Sequence, residues 1–279
     1  MKVGSAVLYE DGELVISKNH TLLQKKIIKN YGEFDDTNVP WEKESRQIKK
    51  IQILDHVKSN CMKAWFYNCI NLTTLIDFQN LDVSDCVDFS FMFAFCQSLQ
   101  NLNGLEIWKI FNGINFSKMF SYCISLQNIN ELQNWNVSNG TDFSCMFASC
   151  QSLENLNGLQ NWNVSNGTDF SYMFYNCKSL KDLNGLENWN VFNGTDFSRM
   201  FYSCKSLQNL NTLHNWNVSN GTDFSHIFSY CISLQEISLS NTLDILTKMM
   251  FYKCNPKLKI HWRKHVYTYA DLLEYQTIY

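Results

Sequence analysis

The sequence predicts an α/β solenoid, a stack of about eight coils that repeat every 27 residues. Three observations predict it. Cys69, Cys96, Cys123, Cys150, Cys177, Cys204 and Cys231 each stand 27 residues apart. Leucine, tryptophan and phenylalanine columns run in phase with them, among them Trp108, Trp135, Trp162, Trp189 and Trp216. The period fails at both ends, where a repeat array needs segments that cover its terminal coils. The expected organisation is therefore a cap over residues 1–60, the solenoid over residues 61–253 and a closing segment over residues 254–279.

Taken in chain order, AVLYEDGELVIS has two alternating apolar stretches around Glu-Asp-Gly, which reads as a β-hairpin. TLLQKKIIKNYG reads as a short helix or strand, and IKKIQIL (residues 48–54) alternates like a strand that leads into the stack. Each coil then has three parts. SLxxLNGL spaces its apolar residues three apart, as a leucine-rich repeat does around its short strand, and such strands would pair in parallel. NWNVSNG is rich in turn formers, with Asn-Gly where positive φ is tolerated. TDFSxMFxxC has a capping Asp and apolar residues three and four apart, which predicts one or two turns of α- or 3₁₀-helix. Finally, residues 257–262 read as a last strand, followed by a short helix from about Thr268 that closes the core with Leu272 and Leu273.

The columns decide how the eleven cysteines are read. A residue that recurs at one phase stacks on its own copies, so the cysteine column should be a buried row of small apolar side chains carrying free thiols. Seven thiols in one row cannot all pair, and no C-x-x-C occurs. Asn103, Asn130, Asn157, Asn184 and Asn211 form a second column, expected to stack as a ladder that satisfies backbone groups.

Composition and motifs argue against chemistry. A net charge of −3 and a pI near 6.1 give no general basic character for nucleic acid. The six histidines form no constellation with Cys and Asp, and there is no glycine-rich phosphate loop. His261 and His265 lack a second ligand pair for zinc, and Asp142, Asp169, Asp196 and Asp223 sit where capping explains them better than calcium does. No catalytic residue, metal or cofactor is therefore expected. Asn136 and Asn139 lie in glycosylation sequons, but their recurrence in the turn column favours turn chemistry. No apolar stretch follows Lys2 and no run approaches a membrane span, which predicts a chain without leader or membrane insertion, cytoplasmic as it reads.

Units such as NGLxNWNVSNGTDFSxMFxxCxSL resemble the repeats of BspA-like leucine-rich-repeat surface proteins, and so do the DGELVIS hairpin, Pro40-Trp41 and the FYNCINLTTL coil. FYKCNPKLKIHW is similar to the shorter, 23-residue repeat of the same family. Two departures stand out: Gly113, Gly140, Gly167, Gly194 and Gly221 replace a frequent Val, and Phe replaces a frequent Met in the TDFS segment. The resemblance implies a leucine-rich-repeat-like fold and an adhesin-like, surface-exposed, non-catalytic role with a protein or glycan partner. The expected binding face is the strand side. One polar column there contains Asn101, Asn128, Asn155, Asp182 and Asn209, and a second contains Glu106, Gln133, Gln160, Glu187 and His214. Their near-repetition suits a weak or multivalent ligand, and the chain is expected to be a monomer.

Overall fold

The computed structural model describes residues 2–238, 249–262 and 265–271. The hairpin forms as expected. β1 (Lys2–Tyr9) pairs antiparallel with β2 (Glu13–Ser17), and Gly12 takes φ +83° at the turn between them. β3 (Ile27–Asp35) resolves the helix-or-strand alternative by pairing antiparallel with β1 on its other edge. β4 (Lys50–Ile53) then runs parallel to β2, and β6 (Thr74–Ile76) runs parallel to β4, so one sheet of order β3-β1-β2-β4-β6 carries the cap into the stack. β5 (Val57–Lys58) and β7 (Leu81–Asp82) make a second small parallel pair. Beneath the sheet, Phe34, Trp41, Trp65 and Phe66 meet edge to face, and the Trp41 indole N–H donates to the Trp65 carbonyl at 2.6 Å.

The coils that follow differ from expectation in both halves. Between β7 and β8 (Glu236–Ser238), strand pairing among the described residues is reduced to single parallel bridges that join Asp88, Asn115, Asp142, Asp169, Asp196 and Asp223 in turn. The SLxxLNGL segment is not a strand there. It runs through irregular backbone into short 3₁₀ turns at Asn130–Leu132, Asn157–Leu159 and Asn211–Asn215. TDFSxMFxxC is not a helix either. In residues 116–123, the N–H groups of Met119, Ser121 and Cys123 close tight turns onto Phe116, Lys118 and Phe120. The alternate N–H groups of Phe116, Lys118, Phe120 and Tyr122 donate to Asp142, Ser144, Met146 and Ala148 of the next coil at 2.7–2.9 Å. Half the donors thus serve the coil and half serve the stack, which a helix could not do, because a helix spends its N–H groups along its own axis.

This run of turns requires left-handed backbone at two residues four apart. Among the described residues the pair recurs at Ala64/Asn68, Phe91/Phe95, Lys118/Tyr122, Cys145/Ser149, Tyr172/Asn176, Arg199/Ser203, His226/Tyr230 and Met249/Lys253, with φ between 53° and 65°. Side chains with a Cβ pay of order 1 kcal/mol for that conformation, so the bonds to neighbouring coils must hold it. The Asn-Gly glycines have another role than the positive φ expected of them. Their φ is ordinary, but a Cβ on Gly140 would lie 2.5 Å from Cζ of Phe143, so glycine is there to make room for the ring.

Packing between coils is by like on like. Phe89, Phe116, Phe143, Phe170, Phe197 and Phe224 stack at 5.2–5.6 Å within 12° of parallel. A second phenylalanine row runs from Phe93 to Phe251, and the tryptophan column stacks at 6.3–6.4 Å. Each indole N–H also reaches back a coil, as from Trp162 to the Leu132 carbonyl at 2.9 Å. The cysteine column is buried and free of disulfides, and its thiols donate weakly to carbonyls of the preceding coil, as from Cys150 to Phe120 at 3.2 Å. The asparagine ladder lies one turn later than expected. Asn112, Asn139, Asn166 and Asn193 donate to the preceding coil at 2.7–3.0 Å, whereas Asn103, Asn130, Asn157, Asn184 and Asn211 are exposed.

At the far end β8 pairs parallel with β9 (Lys259–Trp262), and β10 (His265–Thr268) returns antiparallel to it. Residues 269–271 are helical, just beyond the expected start at Thr268, and the expected core contacts of Leu272 and Leu273 lie outside the described residues. The buried Tyr269 closes the turn ladder: its hydroxyl accepts the Lys253 N–H at 3.0 Å, where inner coils offer a neighbour's carbonyl.

Candidate functional site

The two polar columns predicted as a binding face lie side by side along the stack, one on each flank of the buried leucines at positions such as Leu102 and Leu105. Asn101, Asn128, Asn155, Asp182 and Asn209 are half-buried, and Glu106, Gln133, Gln160, Glu187 and His214 are exposed. Many of these groups are already engaged by their own turns. The side-chain oxygens of Asn101, Asn155, Asp182 and Asn209 accept the N–H two residues on at 3.0–3.4 Å. Glu106 and Glu187 accept the N–H of Gly104 and Gly185 at 2.7 Å, in the two coils where that glycine has φ of +94° and +106°. Gln133, Gln160 and His214 stand instead where the backbone makes a 3₁₀ turn, and the His214 ring bonds the Asn211 carbonyl. The Glu-to-Gln alternation therefore follows the local backbone. At Asn209 a hollow of about 450 Å³ opens between Gln208, Asn211, Gln235 and Glu236.

The cysteines offer no reactive thiol. Burial pushes Cys150, Cys177 and Cys231 far above the ordinary thiol range, and Cys123 and Cys204 to about 12. Half-buried Cys145, at a left-handed position, is raised by burial to about 11. A neutral thiol is neither a nucleophile nor a good metal ligand. Among the described residues no group of three or more His, Cys, Asp or Glu side chains could hold a metal ion. The Asp column completes turns: the Oδ1 atoms of Asp142, Asp169, Asp196 and Asp223 accept the N–H of the serine two residues on at 2.7–2.9 Å, and Asn115 does the same in its own coil.

Sequence reasoning passed over another surface. Three positions per coil, in the turn run S-x-M-F-x-x-C, change identity from coil to coil while the core beneath them repeats; small occupants such as Ala148 and Ser229 are buried, and large ones reach the surface. In the later coils they present Tyr172, Tyr175, Arg199, Tyr202, Tyr230, Tyr252 and Lys253. Tyr175 stacks on Tyr202 at 5.1 Å, and Arg199 lies over the Tyr172 ring at 5.4 Å. Burial, then neighbouring Tyr230 and Tyr175, raise the Tyr202 phenol above its ordinary value, while Arg199 opposes the shift. The signal that would have found this face is variability inside an otherwise fixed unit.

A stack of coils built from one repeating unit, with variable side chains on its outside, defines a repeat protein of the leucine-rich-repeat-like kind. The chain belongs to the family described as Mycoplasma protein of unknown function, DUF285, whose model matches residues 41–156 and 151–261. That family is compatible with the resemblance of this chain's repeats to those of BspA-like leucine-rich-repeat proteins. Among solved structures, it is similar to a leucine-rich cell surface protein from Faecalibacterium prausnitzii A2-165, at 13% identity over 94% of this chain and 76% of that one, with a TM-score of 0.37. A leucine-rich repeat protein from Bacteroides ovatus ATCC 8483 is similar at 14% identity over 94% and 89%, with a TM-score of 0.27. No curated protein matches. Among the described residues no helix is long and apolar enough to cross a membrane.

Proposed function

We propose that this chain is a non-catalytic interaction module that holds a protein partner on the outside of a rigid stack of about eight coils, in an adhesin-like role at a cell surface. The observation that carries this reading is the division of labour within each coil. The repeating side chains that could do chemistry are buried, or bonded within their own coil or to a neighbouring one, and the large side chains at the variable positions reach the surface. Such a surface repeats one scaffold and changes only its contacts, which is how repeat arrays build extended recognition faces. The polar columns from Asn101 and Glu106 onward are a part of that surface suited to weak, repeated contacts, with protein or glycan, because many of their side chains are already held by their own turns. The monomeric state and the surface location belong to the same proposal, the latter supported by the resemblance to surface proteins. The test is a pull-down at about 0.15 M salt from the cells on which the native protein is found. The expected result is a partner retained saturably and displaced by free chain. Retention of nothing above background would leave a spacer without a ligand and overturn the reading.

A further inference from the structure

We propose that the turns of residues 172–178, 199–205, 226–232 and 249–253 form a docking strip for an acidic segment of a partner protein, with carboxylates taken by Lys178, Arg199, Lys205 and Lys253 and hydrogen bonds offered by Tyr175 and Tyr202. This rests on the interaction-module reading and assigns it a face and a ligand chemistry.

Charge comes first. Four positions of each coil line this side: the variable residue between Ser and Met, the two between Phe and Cys, and the one after Cys; they are half-buried or exposed where the side chain is large or charged, and buried where it is small, as at Ala148, Ser149 and Ser229. Along the eight coils these positions hold Lys118, Lys178, Arg199, Lys205 and Lys253 and not one Asp or Glu, in a chain whose net charge is −3. Four of the five cations fall in the later coils. Several lysines of the cap are paired, as Lys25 is with Asp11 and Lys29 with Glu44 at 2.9 Å. Among the described residues Lys178, Arg199, Lys205 and Lys253 have no carboxylate partner. Lys178 touches the Gln151 side chain at 3.0 Å, and Arg199 and Lys253 lie over tyrosine rings. A row of cations left without anions is the complement of an acidic partner.

Ring geometry then selects the class of partner. Single-stranded nucleic acid binds such surfaces by stacking bases on open aromatic faces. Here one face of each of these rings is taken: Tyr175 and Tyr202 cover each other, Arg199 lies over Tyr172, and Lys253 lies over Tyr230 and Tyr252 at 5.5 Å. Ring edges, hydroxyls and cationic heads lie beside them, and these suit carboxylates. Tyrosine also supplies large contact area with little entropy to lose, and Tyr and Arg are both frequent binding hot spots. The strip has a direction as well. The half-buried Asp column borders one flank, its oxygens held by serine N–H groups, so an acidic segment would lie toward Lys178 and Lys205 on the other.

The test uses the full chain and a fluorescent Glu-rich peptide of about 12 residues, about 40 Å when extended. Its Gln-rich counterpart and a single-stranded oligo-dT of similar reach serve as comparison probes. The expected result is saturable binding of the Glu-rich peptide that weakens as salt rises. It should fall about tenfold or more in the Lys178→Ala, Arg199→Ala, Lys205→Ala triple variant, whose melting should match the parent, and stay unchanged in Lys109→Ala, outside the strip. No saturable binding, equal binding by the triple variant, or tighter binding of oligo-dT would each overturn the proposal. A cellular partner that the triple variant still retains fully would also remove the strip, while leaving the interaction-module reading standing.

Discussion

The cap and the central coils bury their cores by different means. The cap uses ordinary strand pairing, with β-branched and leucine side chains such as Val7, Leu14, Ile16 and Ile51 alternating across a five-stranded sheet. The central coils contain almost no strand. They replace it with turns whose N–H groups alternate between their own coil and the next, and with rows of Phe, Trp and Cys stacked on their own kind. The cap is therefore specified by contacts between unlike segments, each needed once. The coils are specified by one self-complementary contact used repeatedly.

Deletion should break the comparison most sharply. Removal of residues 142–168, one whole unit, leaves every column in register, so the shortened chain is expected to fold, with a cooperative melt and an unchanged far-UV spectral shape. Removal of residues 2–17 from the cap strips β4 of a paired edge and exposes Ile51 and Ile53; it should unfold or aggregate the chain. Equal damage from both deletions would refute the distinction. Within a coil, Trp162→Ala should cost about 3–5 kcal/mol in denaturant titration, since it empties a site stacked on both sides and removes one of the two hydrogen bonds to the Leu132 carbonyl. A loss under about 1 kcal/mol would mean that the indole is not packed as described.

Gly140→Ala is a finer probe. If the glycine exists to admit the Phe143 ring, the added methyl should cost about 1–3 kcal/mol, and Phe143→Leu in the same chain should recover part of it. If positive φ were the reason, the second substitution would recover nothing. The smallest effect concerns Asp169. Burial lifts its pKa above the ordinary 3.8, with like charge from Asp142 and Asp196 adding to the shift, so the folded chain holds this proton more tightly than the unfolded chain. The associated penalty is absent below about pH 4 and grows as pH rises through the raised value. Asp169→Asn keeps the turn acceptor, as Asn115 shows, and should raise stability at pH 7 by about 0.2–1 kcal/mol with little change at low pH. A loss at pH 7 would mean that the carboxylate is needed charged.

Much of this was legible in the sequence because a period makes burial visible. The Trp, Phe and Cys columns and the hairpin at Glu-Asp-Gly all stand where spacing put them. The helical half of the coil was misread for a physical reason. Apolar residues three and four apart, as in Phe143, Met146, Phe147 and Cys150, share a face in a helix and also in a run of tight turns. What separates the two is left-handed backbone at Cys145 and Ser149, and neither residue type announces it as glycine would. The polar columns were visible as surface, but not their engagement: nothing in the letters says that Glu187 is occupied by the Gly185 N–H. The tyrosine strip carries no periodic signal, because its side chains change from coil to coil.

The terminating hydroxyl of Tyr269 has a wider meaning. In the turn run each coil hands its spare donors forward and receives its neighbour's from behind, so the array has a sense, like a one-way chain of clasps. Units copied into the interior inherit both halves of the clasp and leave the two ends untouched. The length of the molecule can thus change by whole coils in a single genetic event, with the same first sheet and the same last tyrosine serving every version.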